Sequence, residues 1–187
     1  MIFDKIKRGY RRFFPKNYTV KELSDIKIEY LRSIGVEIGE NVDIIDSNID
    51  DAEPYLIKIG NNVTITGVRL LTHDASTNKE LGYVKVGYVH IGDNVFVGAG
   101  SIILPGTKIG SNVIIGAGSV VAKDIPDNTV CGGNPVKVIC AYDEYMQRQK
   151  ERMAKYPVFN LLPDEIKDGN HEKEKDMIIK SGYGFIK

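Results

Sequence analysis

The chain has 187 residues, 42% of them hydrophobic, and its 25 acidic and 25 basic side chains cancel. That length predicts one domain with a sizeable core, and the charge balance gives no sign of a nucleic-acid binder. Two cysteines, Cys131 and Cys140, with no Cys or His beside them, predict reduced structural thiols rather than a disulfide scaffold or a zinc site.

Residues 1–14 carry Phe3, Ile6, Tyr10, Phe13 and Phe14 at roughly helical spacing, interleaved with Lys5, Lys7, Arg8, Arg11 and Arg12. The pattern predicts a basic amphipathic helix, either packed as an arm or lying on a membrane surface. It has no long apolar core and no small-residue cleavage site, and no apolar run of about 18 residues occurs anywhere, so a cytoplasmic protein is expected, peripheral to the membrane at most. A second helical stripe, Leu23, Ile26, Tyr30 and Ile34, ends near Gly35 and predicts a cap on whatever follows. Residues 1–33 thus form an arm and cap.

Next the pentad I-G-x-N-V recurs from Ile38, Ile59, Ile91 and Ile109. The last two starts are 18 residues apart, the first two 21, and the middle two 32, so extra residues are extruded between the repeats. The larger excess is expected at 77–90, directly after Leu71, Thr72, His73 and Asp74, and a loop of that size in a compact domain is more often functional than accidental.

From Ile91 to Pro126 the period is six: IGDNVF, VGAGSI, ILPGTK, IGSNVI, IGAGSV and VAKDIP. Each unit opens on a β-branched aliphatic, carries Gly, Ala or Leu second, and a small or β-branched residue fifth. This fits neither the helical 3.6 nor the period-2 pattern of a hairpin sheet. It predicts an all-β solenoid of parallel strands, three hexads per coil, over residues 34–140. Glycine at the second place is expected to serve the corners, where backbone leaves strand dihedrals. After Gly132, Gly133, Asn134 and Pro135, the segment 141–187 predicts an exposed helix over Tyr142 to Lys155 and a charged tail.

The hexads, the closing Gly132 to Ile139 stretch (GGNPVKVI) and the upstream LLTHDAS together resemble the left-handed β-helix acyltransferases, in the branch of galactoside, maltose and serine acetyltransferases and polysaccharide O-acetyltransferases. The resemblance spans residues 34–140 and implies the left hand of the coil, a homotrimer, acetyl-CoA as co-substrate with no metal required, and a sugar or glycan hydroxyl as acceptor. His73 matches the family's general base. Ala99 and Ala117, Ala122 and Lys123, and Lys137 match the positions that line the coenzyme A groove between subunits. Phe96 stands where galactoside-type members carry Trp.

For the acceptor, Asp46, Ser47 and Glu53 on the early coils are candidates, with Asp74 to orient a ring or an acceptor. The remaining histidines have plainer contexts: His90 on the outer face of a coil and His171 in the tail. That distribution disfavours a zinc-dependent carbonic anhydrase of the same fold, which needs three converging histidines. Direct transfer needs a base, an oxyanion donor and placement of both substrates, but no protein nucleophile, and no G-x-S-x-G elbow is present. Three readings are therefore carried forward: an O-acetyltransferase, a related enzyme acting on an amino sugar or serine, and a non-catalytic trimeric scaffold.

Overall fold

The computed structural model describes residues 18–160 and 171–186, so the basic segment 1–14 and the stretch 161–170 lie outside it. The chain divides into two compact units, Met1–Tyr142 and Asp143–Lys187. In the first, parallel strands recur in a cycle of three. Glu37–Ile38, Ile57–Ile59, Val89–Ile91 and Thr107–Ile109 form one sheet. Val42–Ile45, Val63–Thr66, Val95–Val97 and Val113–Ile115 form the second, and Asn48–Ile49, Arg69–Leu70, Ile102–Ile103 and Val120–Val121 the third. Each coil adds one strand to every face, with Ile91 on Ile109, Val97 on Ile115 and Ile103 on Val121.

The hexad openers point inward. Ile91, Val97, Ile103, Ile109, Ile115 and Val121 are all wholly buried in one aliphatic column. Burial of such side chains is the main driving force, at roughly 25 cal/mol per Å² of apolar surface. The fifth place is buried too, by Val95, Ser101, Thr107, Val113, Ser119 and Ile125.

The corner chemistry differs from expectation. The residues with left-handed backbone are those in fourth place: Asn94, Gly100, Gly106, Asn112 and Gly118, with φ between 55° and 78°. Second-place Gly92 is not among them. Its role is close approach, since a Cβ there would lie 2.7 Å from Ser111 Oγ and 2.8 Å from the Gly110 carbonyl of the next coil.

At the equivalent corner Asn41, Asn62, Asn94, Asn112 and Asn128 share φ of 54–56°, and their amides stack in a ladder, each Nδ2 donating to the next Oδ1 at 2.9–3.0 Å. Asparagine is selected twice, because it tolerates this conformation and fills the rung. Replacing Asn112 by Ala removes two rung bonds and leaves a Cβ at positive φ, an expected loss of about 3 kcal/mol. Asn112→Gly keeps the conformation and should cost about 2 kcal/mol, chiefly the bonds. Urea unfolding of the two variants measures the difference, and equal losses would show that the backbone conformation is not what selects asparagine.

Both ends of the column are closed. At the start the helix Val20–Ser33, begun by a Thr19–Glu22 capping box, buries Ile28, Tyr30 and Leu31 in the core. Its Ser24 Oγ accepts the N–H of Ile44 at 2.8 Å, so an edge strand finds a partner there. At the other end Thr129–Gly132 joins the second sheet and Lys137–Ala141 folds back on it antiparallel.

Extra residues leave the coil at one corner only, where the third sheet passes to the first. In the third coil that corner is Leu104 to Gly106; in the first it is Asp50 to Leu56, with a 3-10 turn at Pro54–Leu56, and in the second it is Leu71 to Tyr88. The larger insertion therefore begins earlier than expected and ends before His90, which lies in Val89–Ile91 beside Lys58 and Lys108. Inside it, His73–Asp74 pairs antiparallel with Lys85–Val86.

In the second unit, helix Glu172–Ser181 lies near the parallel pair Val158–Phe159 and Phe185–Ile186. Gly184 packs against Ile178 and Phe159, and the rings of Tyr156 and Tyr183 are 5.6 Å apart.

Candidate active site

Two stacked insertions place three ionisable side chains together. His73 Nδ1 lies 2.7 Å from Asp50 Oδ2 and 3.3 Å from Glu53 Oε2, although neither contact has the alignment of a hydrogen bond. Nδ1 itself is closed off from water, while the side chain as a whole keeps 38% of its surface exposed. The accessible part of the ring therefore carries Nε2.

Behind the ring stands Thr72, wholly buried. Its N–H and O–H both donate to Asp50 Oδ2, at 2.9 and 2.8 Å, and the hydroxyl also lies 3.2 Å from Glu53 Oε2. Burial pushes the Asp50 carboxyl up. The Thr72 bonds, the Ala52 N–H and the His73 ring together more than reverse this and hold it below its ordinary value. A carboxylate so held stays ionised and can orient an imidazole.

In front of the ring is an open cleft of about 520 Å³, lined by His73, Asp74, Lys85, Leu104, Pro105 and Ala122 among others. Its walls come from the same corner in successive coils. Asp74 does not turn to His73: Oδ1 accepts from Ser76 N–H at 2.9 Å and Oδ2 meets Lys85 Nζ at 3.1 Å. The Ser76 bonds first, then Lys85, bring its pKa down to about 2. Asp50, Glu53 and His73 offer atoms all within 4.8 Å of one another, a spacing that one shared proton or one cation can bridge.

Residues 88–123 match the bacterial transferase hexapeptide family (six repeats). The protein CapG of Staphylococcus aureus is 49% identical over an alignment of 134 positions that covers 67% of this chain and 75% of that one. A maltose O-acetyltransferase from Clostridium difficile 630 superposes with a TM-score of 0.53 at 32% identity, covering 75% of this chain and 84% of the other. The chain belongs to the hexapeptide-repeat acetyltransferases. A galactoside O-acetyltransferase of Lactococcus lactis is 44% identical over 94 residues, 48% of this chain and 44% of the relative.

Within this acetyltransferase the expected site residues fall into separate groups. His73, Asp74 and Ala122 line one cleft, with Glu53 behind the imidazole. Ala99 and Ala117 stack at a different corner, between the second and third sheets, where Gly118 N–H donates to Ala99 O and Gly98 approaches Ala117. Lys123 is exposed one residue beyond Ala122, and Lys137 is exposed on the closing strand.

Asp46 and Ser47 belong to the corner column of Ala99 rather than to that of His73. Ser47 is corrected outright: it is buried, donates to Ile45 O and accepts from Val68 N–H, so its hydroxyl closes a turn and is not offered to an acceptor. Asp46 is exposed beside it in a left-handed turn. Phe96 is 45% exposed on the outer face of the second sheet.

Asp50 and Thr72 were not singled out by sequence reasoning, yet a signal existed. The 21-residue offset between the first two pentads puts Asp50 one rung from Leu71, next to Thr72 and His73.

Proposed function

We propose that this acetyltransferase moves an acetyl group from acetyl-CoA directly to a hydroxyl of a sugar or glycan, with His73 as general base. The observation that carries the reading is an imidazole in an open cleft, its Nδ1 buried against the ionised Asp50. Nε2 takes the acceptor's proton as the oxygen attacks the thioester carbonyl. The S–C bond breaks, the proton passes to the departing thiolate, and the products are an ester and free coenzyme A. Asp50 keeps the ring in the Nδ1–H tautomer and faces the positive charge that forms on it.

The galactoside and maltose O-acetyltransferases among its relatives support a sugar hydroxyl over serine or an amine. For the donor we keep Ala99, Ala117, Ala122, Lys123 and Lys137, on a left-handed coil. Small side chains let a pantetheine arm approach the backbone, and the lysines offer charge to phosphates. Since Ala117 and His73 stand at different corners of one column, the donor groove is completed by a second copy in a homotrimer. Acetyl-CoA supply places the reaction in the cytoplasm, and the basic segment 1–14 is assigned a peripheral contact with anionic lipid.

The test is thiol release from acetyl-CoA with maltose, a methyl galactoside, glucosamine and serine as acceptors. A hydroxyl sugar should give a product labile to mild alkali, as an ester is and an amide is not. Release of thiol with none of them would return the chain to the scaffold reading. Protein treated with a chelator should keep its turnover, whereas loss restored by a divalent metal would turn the Asp50, Glu53 and His73 cluster into a metal centre.

A further inference from the structure

We propose that Glu53 is a positioning residue for the imidazole of His73 and not a contact for the acceptor. The inference rests on His73 being the base. It follows from counting donors against lone pairs in the pocket behind the ring.

Three donors converge there: the N–H of Thr72, the O–H of Thr72 and the Nδ1–H of His73. All three reach Asp50 Oδ2, at 2.9, 2.8 and 2.7 Å. One carboxylate oxygen has about two lone-pair sites, and the Thr72 N–H, fixed in the backbone, holds one of them. The hydroxyl and the ring compete for the other. Asp50 Oδ1 does not relieve the competition, since it is turned to the Ala52 N–H at 3.2 Å.

Glu53 Oε2 does relieve it. It lies 3.2 Å from Thr72 Oγ1 and 3.3 Å from His73 Nδ1, so it can receive whichever donor Asp50 does not. With Glu53 present a second carboxylate oxygen stands within reach of both competing donors. Without it either a wholly buried hydroxyl or a ring nitrogen closed off from water is left unpaired, which is costly in either case. Nδ1 stands 2.7 Å from Asp50 Oδ2 and 3.3 Å from Glu53 Oε2 and is aligned on neither, so both carboxylates remain open to it. Glu53 keeps 24% of its side-chain surface exposed and is absent from the lining of the cleft, as a residue behind the base should be.

When His73 takes a proton the imidazolium meets two carboxylates instead of one. Glu53 therefore acts mainly in the transition state, and its loss belongs in kcat rather than in KM.

The experiment compares wild type with Glu53→Gln, Glu53→Ala and His73→Ala. Its first readout needs no acceptor: the imidazole nitrogens of His73 are observed by ¹⁵N NMR, assigned against His73→Ala in a chain with three histidines. Wild type should show Nδ1 protonated and Nε2 bare, and Glu53→Ala should show a mixture of tautomers.

The second readout is thiol release from acetyl-CoA with maltose, and with water where maltose gives none. Glu53→Ala should lower kcat about 10–100-fold, the range for one hydrogen bond to a charged group, with KM for both substrates within about twofold. Glu53→Gln, which keeps an acceptor oxygen without the charge, should fall between wild type and Glu53→Ala. An unchanged tautomer in Glu53→Ala, or a rise in acceptor KM at unchanged kcat, overturns the assignment and makes Glu53 an ordinary surface or acceptor residue. Should His73→Ala itself turn over normally, the base reading fails, and that result is distinct from either outcome at Glu53.

Discussion

Replacing His73 by alanine is expected to lower turnover about 10²–10⁴-fold, the usual range for a single positioned general base. Binding of acetyl-CoA should change little, because the positions proposed for the donor are Ala99, Ala117, Ala122, Lys123 and Lys137, and in the proposed mechanism the imidazole works mainly as the acceptor proton leaves. The fold survives as well. His73 is 38% exposed at the foot of an inserted segment and makes no part of the aliphatic column. Steady-state kinetics with equilibrium binding of acetyl-CoA to the same variant separates the two effects. A folded His73→Ala protein with nearly normal turnover would remove the imidazole from the reaction.

Gly92→Ala destabilises the coil by about 3 kcal/mol, the upper part of the range for overpacking a filled interior. The added methyl would meet Ser111 Oγ and the backbone of Gly110 at under 3 Å, and the backbone is held by the ladder between the coils. Gly92 N–H is bonded to Ile109 O at 2.9 Å, and the ladder Val89–Ile91 on Thr107–Ile109 holds the two coils at strand spacing. Gly100→Ala is the control. There φ is 76° and the nearest atom to a Cβ is 3.9 Å away, so the cost is conformational, about 1–2 kcal/mol. Equal losses in urea unfolding would mean that dihedral freedom, and not close approach, selects glycine at the second place.

The contrast between these glycines shows what a repeat does and does not disclose. Five of the six hexads carry a small residue in second place, with Leu104 the exception, and the obvious local cause is a turn dihedral. At Gly92 the actual cause is the next coil, where Gly110 stands 18 residues away. The left-handed positions were in plain view as Asn94, Gly100, Gly106, Asn112 and Gly118, one to each of five successive hexads in fourth place. Asparagine and glycine share no side-chain property except tolerance of that conformation, so the alternation itself was the signal.

By itself the sequence determined the three-sided parallel coil, the burial of each hexad opener and the corner at which His73 leaves the column. A strict period ties every residue to a face and to a partner one coil away, which makes those features local and additive. Only the tertiary structure decided what surrounds the imidazole. Asp50, Glu53 and Thr72 meet His73 because two insertions of different length leave the column at the same corner in successive coils. The 21-residue offset sets Asp50 beside Leu71 and Thr72, but residues beyond it in either insertion carry no phase, so no spacing rule states whether Glu53 or Asp74 will face the ring. Asp74, adjacent to His73 in the chain, turns to Ser76 and Lys85, while Asp50 reaches the ring from the coil before, because neighbours on an extended segment point apart and stacked corners point together.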